Sequence, residues 1–232
     1  MMEAGNLNGV QTNASARLNR APVGTTALHE TAFFRDRDTF DALRETLLPR
    51  IIEANMRNRR LGIWCAGCST GQEAYSIAML LRENFADQLA DWDVEIVATD
   101  LAGSAIEYAR RGRYRRAEVN RGLPARMLVR CFVREGDEWE IVPELRAMCE
   151  FRKGDVCTQI AEPDVYDLVL MRNVLLFLPE QDRAAAFASV HRRLAAHGVL
   201  ALGQAEQAED STDLFEAEYM DRCCFYRKTP AR

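Results

Sequence analysis

The chain has 232 residues, 48% of them apolar and 28% charged, with 30 Lys and Arg against 35 Asp and Glu for a formal net charge of −5. This composition excludes a disordered chain, and no window reaches the ~18–20 apolar residues of a membrane helix. A mildly acidic chain also argues against general nucleic-acid binding, because phosphate contacts need a basic face.

Residues 1–27 carry Gly, Asn, Ser, Thr and Pro22 with little apolar content, and read as a flexible arm without the apolar core of an export signal. With seven cysteines and no such signal, reduced thiols and a cytoplasmic location are expected. One domain is expected over 28–232. Taken alone, Thr31-Ala32-Phe33-Phe34-Arg35 reads as the start of an amphipathic helix. From Thr39 to Asn55, Phe40, Leu43, Leu47, Ile51 and Ile52 fall at helical spacing, with Pro49 expected to interrupt them. Leu61 to Ala66 is an apolar strand, Gly67 to Gly71 a turn of small residues, and Gln72 the start of a helix with Ala74, Ile77, Ala78 and Leu81 on one face.

Val94 to Asp100 is a strand ending in an acid. Ser104 to Arg111 is a helix with Ser104 as its N-cap. Residues 124–147 break the rhythm: apolar runs flanking Gly136-Asp137 predict a small antiparallel insertion with a hairpin, feeding a strand at Met148 to Phe151. Asp167 to Met171 is a strand. Gln181 to Ala196 is a helix with Gly198 near its C-terminal end. Val199 to Gly203 and Cys223 to Tyr226 are the last strands. Strands alternating with helices predict an α/β fold with a mainly parallel sheet.

The chemistry concentrates at strand ends. Gly67-x-x-x-Gly71 has neither dinucleotide-binding nor phosphate-loop spacing. Asp100, ending the next strand, can accept two hydrogen bonds from a ribose diol. Glu73 lies in a first helical turn, where the helix dipole favours an acid and where the ammonium of a ligand amino acid can also dock. A ligand with a ribose and an amino-acid end is S-adenosylmethionine, and an anionic first turn would repel a pyrophosphate. Arg172 and Asn173 follow the strand ending at Met171, on the side where parallel sheets bind ligands, and Arg172 reads as serving a reaction rather than the fold. The cysteine pairs Cys65-x-x-Cys68 and Cys223-Cys224 read as buried or turn thiols, with no metal site. Arg110, Arg111, Arg113, Arg115 and Arg116 read as a solvated face or as a dock for an acidic partner helix.

Five segments occur in order: Thr31 to Arg35, Ile63 to Ser76, Ala98 to Asp100, Gly112-Arg113-Tyr114 and Met171 to Leu175. Together they closely resemble the CheR-type chemotaxis-receptor methyltransferases, over about residues 29–227. The resemblance implies a Rossmann-like class I methyltransferase with a seven-stranded sheet. It implies methyl transfer from S-adenosylmethionine, leaving S-adenosylhomocysteine, to glutamate carboxylates on cytoplasmic helices of a chemoreceptor, with no membrane insertion. By position, Thr31 and Arg35 match residues near the cofactor and its methyl group. Glu73 and Asp100 match the amino-acid and ribose contacts, and Gly67 and Gly71 the turn beside them. Asp155-Val156 match a pair beside the adenine, where the family usually has Asn-Leu. Arg172 and Asn173 match residues lining the reaction site, and Arg35 and Arg172 are candidates to orient the acceptor carboxylate. The chain departs from the pattern at His29, at Gln72 and Ala74, at Phe177 where Tyr is usual, and in reading as lacking most of the family's N-terminal helical domain. The alternatives are a methyltransferase for a small carboxylate or another protein, and a non-catalytic cofactor-binding signalling module.

Overall fold

The computed structural model describes residues 30–158, 164–208, 211 and 213–229; the arm expected over 1–27 lies outside them. Helix comes first. α1 (Arg37–Ala42), a π-helical turn (Leu43–Leu47) and α2 (Leu48–Ala54) follow one another without a break. Pro49 does not interrupt them. Its ring would press on the carbonyl four residues back, and the wider turn directly before α2 gives that ring room.

β1 (Arg60–Ala66), α3 (Gln72–Asn84), β2 (Asp93–Asp100) and α4 (Gly103–Arg111) form the first alternating run. Ser104 is not the N-cap of α4. Ala102 holds that position, and its own N–H donates to Asp100 Oδ1 at 2.8 Å, so the acid at the strand end sets where the helix begins.

β3 (Arg113–Arg115), α5 (Arg116–Val119), α6 (Ala125–Cys131), β4 (Phe132–Glu135), β5 (Glu138–Ile141) and α7 (Pro143–Ala147) come next. The hairpin turns at Gly136, with φ at 62°. The small antiparallel sheet is ordered β3-β5-β4, so one of its strands precedes the 124–147 window. Met127 to Val129 is helical within it, because Met127 and Cys131, four apart, bury one helical face.

β6 (Cys149–Lys153), β7 (Tyr166–Met171), a 3₁₀ turn (Leu175–Phe177), α8 (Glu180–Arg193), β8 (Leu194–Leu202), β9 (Phe215–Met220) and β10 (Cys223–Lys228) complete the described chain. α8 stops at Arg193, and Gly198 lies within β8 rather than at a helix end. Leu194 pairs with Tyr166 of β7 and its carbonyl accepts from Lys228 Nζ, so the sheet claims it. The pairing slips between Tyr166 and Leu168, and a Cβ on Gly198 would come 2.8 Å from Leu194 Cγ. β9 had no distinct sequence signal: of its six residues only Phe215 is buried.

The main sheet has seven strands in the order β6-β2-β1-β7-β8-β10-β9. The first five are parallel, β10 pairs antiparallel with β8, and β9 pairs antiparallel with β10. Strand alternation sends successive residues to opposite faces. Leu61, Ile63 and Cys65 of β1, Ile96 and Ala98 of β2, and Leu168 and Leu170 of β7 join one core with α3 and the first helices. Trp64, Ala66, Val97, Val169 and Met171 join a second core with Phe187 and Val190 of α8. Both faces are covered, which is why β1 and β7 read as unbroken apolar runs.

Candidate active site

β2 and β6 lie on one side of β1, and β7 and β8 on the other, so the strand order reverses between β1 and β7. Open parallel sheets bind ligands outside the carboxyl ends of their strands at such a reversal. The Gly67–Gly71 turn and the Arg172–Leu175 segment leave the sheet there.

The turn is fixed by its own backbone. Gly67 N and Cys68 N both donate to Thr99 O, at 2.8 and 2.9 Å, and Ser69 N donates to Asp100 Oδ2 at 2.8 Å. Gly67 and Gly71 have φ of 74° and 91°. A Cβ on Gly67 would lie 2.5 Å from Val174 Cγ2, and one on Gly71 2.8 Å from Ala109 Cβ. Both glycines therefore answer to close packing within the chain. Val174, from the segment after β7, makes the close approach to Gly67.

Asp100 is half-buried, and each carboxylate oxygen accepts one backbone N–H. A carboxylate oxygen has two acceptor positions, so one on each oxygen remains for a diol. Gly154 N donates to Asp100 O at 3.0 Å, which brings the exit of β6 beside it. There Asp155 Oδ1 accepts from Cys157 N at 2.8 Å, and Val156 is buried.

Arg172 is the hub of the opposite end. Its Nη1 donates to Glu73 Oε2 at 2.8 Å, and its Nη2 to Asp36 Oδ2 at 2.6 Å and to Arg35 O at 2.9 Å. Its side chain is 2% exposed and lies over the Phe40 ring at 5.7 Å. Arg172 is thus bound into the fold as well as lining the crevice, contrary to the expectation that it serves the reaction alone. Burial pushes the Glu73 carboxyl above its ordinary value, and Arg172 and then Arg35 oppose that shift. Arg172 takes Glu73 Oε2 and leaves Oε1 as the acceptor for an ammonium, and Asp100 keeps acceptor positions for a diol, so the residues present are compatible with S-adenosylmethionine.

Thr31 and Arg35 are half-buried on the segment that covers this end. That segment is no helix start. Phe34 and Asp36 have φ of 48° and 60°, Phe34 N donates to Ser76 Oγ at 2.9 Å, and helix begins only at Arg37. Tertiary contact overrides the helical pattern: Phe33 is fully buried, edge-on to Tyr114 at 5.0 Å and Phe132 at 5.5 Å. Arg35 Nη1 donates to Glu30 O at 2.6 Å.

Asn173 follows in the left-handed region, with φ at 58°, and its N–H donates to Glu206 Oε2 at 2.6 Å. Phe177 is 54% exposed. The site thus draws together Arg35, Glu73 and Arg172 at one end, and Asp100, Asp155 and Val156 at the other. Asp36 and Glu206 are the charged residues that sequence reasoning missed. Asp36 follows a recognised segment, but nothing local marked its partner; Glu206 carried no signal.

All seven cysteines are free thiols, and no cluster able to hold a metal occurs among the described residues. Within the basic run, Arg110 donates to Phe151 O and Arg113 pairs with Glu140, while Arg111, Arg115 and Arg116 are exposed. No helix among the described residues is long and apolar enough to cross a membrane.

Comparison with known proteins gives the same direction. The family model for the CheR methyltransferase SAM-binding domain matches residues 29–224. Chemotaxis protein methyltransferase 1 of Pseudomonas aeruginosa is 33% identical over 213 residues, 90% of this chain and 77% of that protein. Chemotaxis protein methyltransferase Cher2 of Pseudomonas putida is 31% identical over 210 residues, 89% and 76% of the two chains. A chemotaxis protein methyltransferase of Listeria monocytogenes is 32% identical over 186 residues, 80% and 68%. The chain belongs to the CheR methyltransferase family and is an S-adenosylmethionine-dependent methyltransferase with a class I, mainly parallel seven-stranded fold.

Proposed function

We propose that this methyltransferase esterifies glutamate side chains on the cytoplasmic helices of a chemoreceptor. The observation that carries the reading is the meeting of the Arg35–Asp36 segment, Glu73 and Arg172 at the reversal of the sheet. S-adenosylmethionine supplies an electrophilic methyl group on a sulfonium. A glutamate acceptor is already ionised at neutral pH, so it needs alignment and a dry site rather than a strong base. Guanidinium groups suit that task, because a planar fork holds a carboxylate in one orientation.

In this reading Arg35 orients the acceptor, and Arg172, whose Nη atoms are bonded to Glu73, Asp36 and the Arg35 carbonyl, holds the Arg35 segment in place for it. Glu73 takes the cofactor's ammonium and Asp100 its ribose. Asp155 and Val156 lie beside the adenine, with Thr31, Gly67, Gly71 and Asn173 lining the remainder. Residues from 28 onward act as one methyltransferase domain. Seven free thiols suit a cytoplasmic protein facing the inner ends of receptors.

The test is incubation with methyl-labelled cofactor and a receptor cytoplasmic fragment. Label released as methanol in mild alkali, and mapped to glutamate, is the expected result. Label that survives the alkaline step would move the assignment to an amine or hydroxyl acceptor. Transfer to free small carboxylates instead of the fragment would favour a small-molecule enzyme.

A further inference from the structure

Glu206 is 6% exposed and lies beyond the end of β8. Its carboxylate accepts three backbone hydrogen bonds. Oε1 takes Leu175 N at 2.8 Å, and Oε2 takes Asn173 N at 2.6 Å and Gly203 N at 2.8 Å. The Glu206 N–H donates to Gly203 O at 2.9 Å, closing a turn that aims the side chain back at the sheet. Two of the three donors belong to the segment that directly follows Arg172. Asn173 there holds a left-handed φ of 58°, a conformation that a non-glycine residue keeps only when its surroundings enforce it. Gly203 has no room for a side chain: a Cβ would lie 2.7 Å from Glu206 Oε2 and 2.8 Å from Asn173 Nδ2. The carboxylate also adds to the rise of the Glu73 carboxyl, so its charge is felt at the Arg172 end of the site.

We propose that Glu206 is a positioning residue for methyl transfer: its buried carboxylate clamps the backbone of residues 173–175 and thereby fixes the directions in which Arg172 and Asn173 leave β7. The inference rests on the active site assigned above. An ionised acceptor is the group that serves three convergent N–H donors, since a carboxylate has four acceptor positions and no proton to turn toward them. An amide in its place presents an NH2 group to at least one backbone N–H.

Asp167 provides the matched control. It is also a buried carboxylate on β7, accepting from Gly62 N at 2.8 Å and contacting His197 Nε2 at 2.9 Å, but at the opposite end of the strand. Glu206→Gln and Asp167→Asn are compared with the parent at a temperature where circular dichroism shows each folded. Glu206→Gln should lower kcat by at least ~10-fold and speed amide exchange in the peptide spanning 172–176, while Asp167→Asn leaves kcat within about threefold. Gly203→Ala, which displaces the carboxylate without removing it, should lower kcat in the same direction. A folded Glu206→Gln with kcat within threefold of the parent, or with unchanged exchange over 172–176, overturns the proposal. So does an equal loss in Asp167→Asn, which would make the effect one of general stability. If neither Glu206→Gln nor Gly203→Ala folds, the carboxylate is a folding determinant and the proposal fails. A parent protein that transfers no methyl to a receptor fragment refutes the proposed function instead, and the exchange measurement then still judges the clamp.

Discussion

Arg172 holds Glu73, Asp36 and the Arg35 carbonyl from a position only 2% exposed, so deleting it strands two carboxylates in a poorly hydrated crevice. Breaking a buried pair from one side costs about 3–5 kcal/mol. In a chain of this length that corresponds to a Tm lower by roughly 6–20 °C, and thermal melting of Arg172→Ala followed by circular dichroism should show it. A fall below about 3 °C would mean that both acids rehydrate freely. Glu73 carries a pH dependence of definite sign. Folding raises its carboxyl above the ordinary 4.5, chiefly by burial, so the folded state binds that proton more tightly than the unfolded state does. Its contribution favours folding below the unfolded value and is lost as pH rises through the folded one. Denaturation of parent and Glu73→Gln between about pH 4 and 7 should therefore show the parent losing stability relative to the variant as pH rises. A gap that widens in the parent's favour would reverse the sign. Asp100→Ala should weaken S-adenosylhomocysteine binding by about 2–4 kcal/mol in calorimetry, through loss of charged hydrogen bonds to a diol. Unchanged affinity in a folded variant would remove Asp100 from the ribose role. Glu73, Asp100 and Arg172 were legible because each sits at the end of a recognisable strand or the start of a helix. Asp36 and Glu206 were not, because the groups they hold lie 136 and 33 residues away along the chain.

The Gly67–Gly71 turn and the segment after β7 act as a pair of elements in contact. Gly67→Ala forces a side chain into the left-handed region, which costs roughly 1–2 kcal/mol, and presses its Cβ against Val174. Urea denaturation should show a loss of at least about 2 kcal/mol, combining that strain with the overpacking. In a double-mutant cycle, Val174→Ala should return about 1 kcal/mol of it, leaving the φ strain behind. Strict additivity would mean that the two segments do not touch. Element boundaries followed local pattern where one element satisfied itself. The apolar runs of β1, β2 and β7 and the face of α3 are of this kind. Pattern failed where a neighbour made the decision. Leu194 joined β8 because β7 and Lys228 reach it, Phe33 left its helix to pack on Tyr114, and β9 exists because β10 offers it an edge.

Across the whole molecule, seven thiols are spread through both cores and the crevice without a disulfide. Burial pushes the Cys65, Cys68 and Cys149 thiols well above the ordinary thiol range, which suppresses the reactive thiolate. Iodoacetamide near pH 8 should leave these three unmodified in the folded protein, and all seven should react after unfolding, as read by peptide mass spectrometry. Fast native alkylation of Cys65 would show that the β1 core opens locally. The sequence by itself determined the alternating α/β architecture, the placement of Glu73 at a helix start and of Asp100 and Arg172 at strand ends, and the cofactor class. Each of these is written in neighbouring residues: an apolar run long enough for one strand, a glycine turn, an acid at its edge. Only the tertiary structure decided that β1 and β7 flank the reversal, that Arg172 is shared between Glu73 and Asp36, and that Glu206 holds the backbone beyond Arg172. Those facts depend on which distant segments meet, and sheet pairing and buried charge pairing select partners by three-dimensional complementarity that no local pattern encodes.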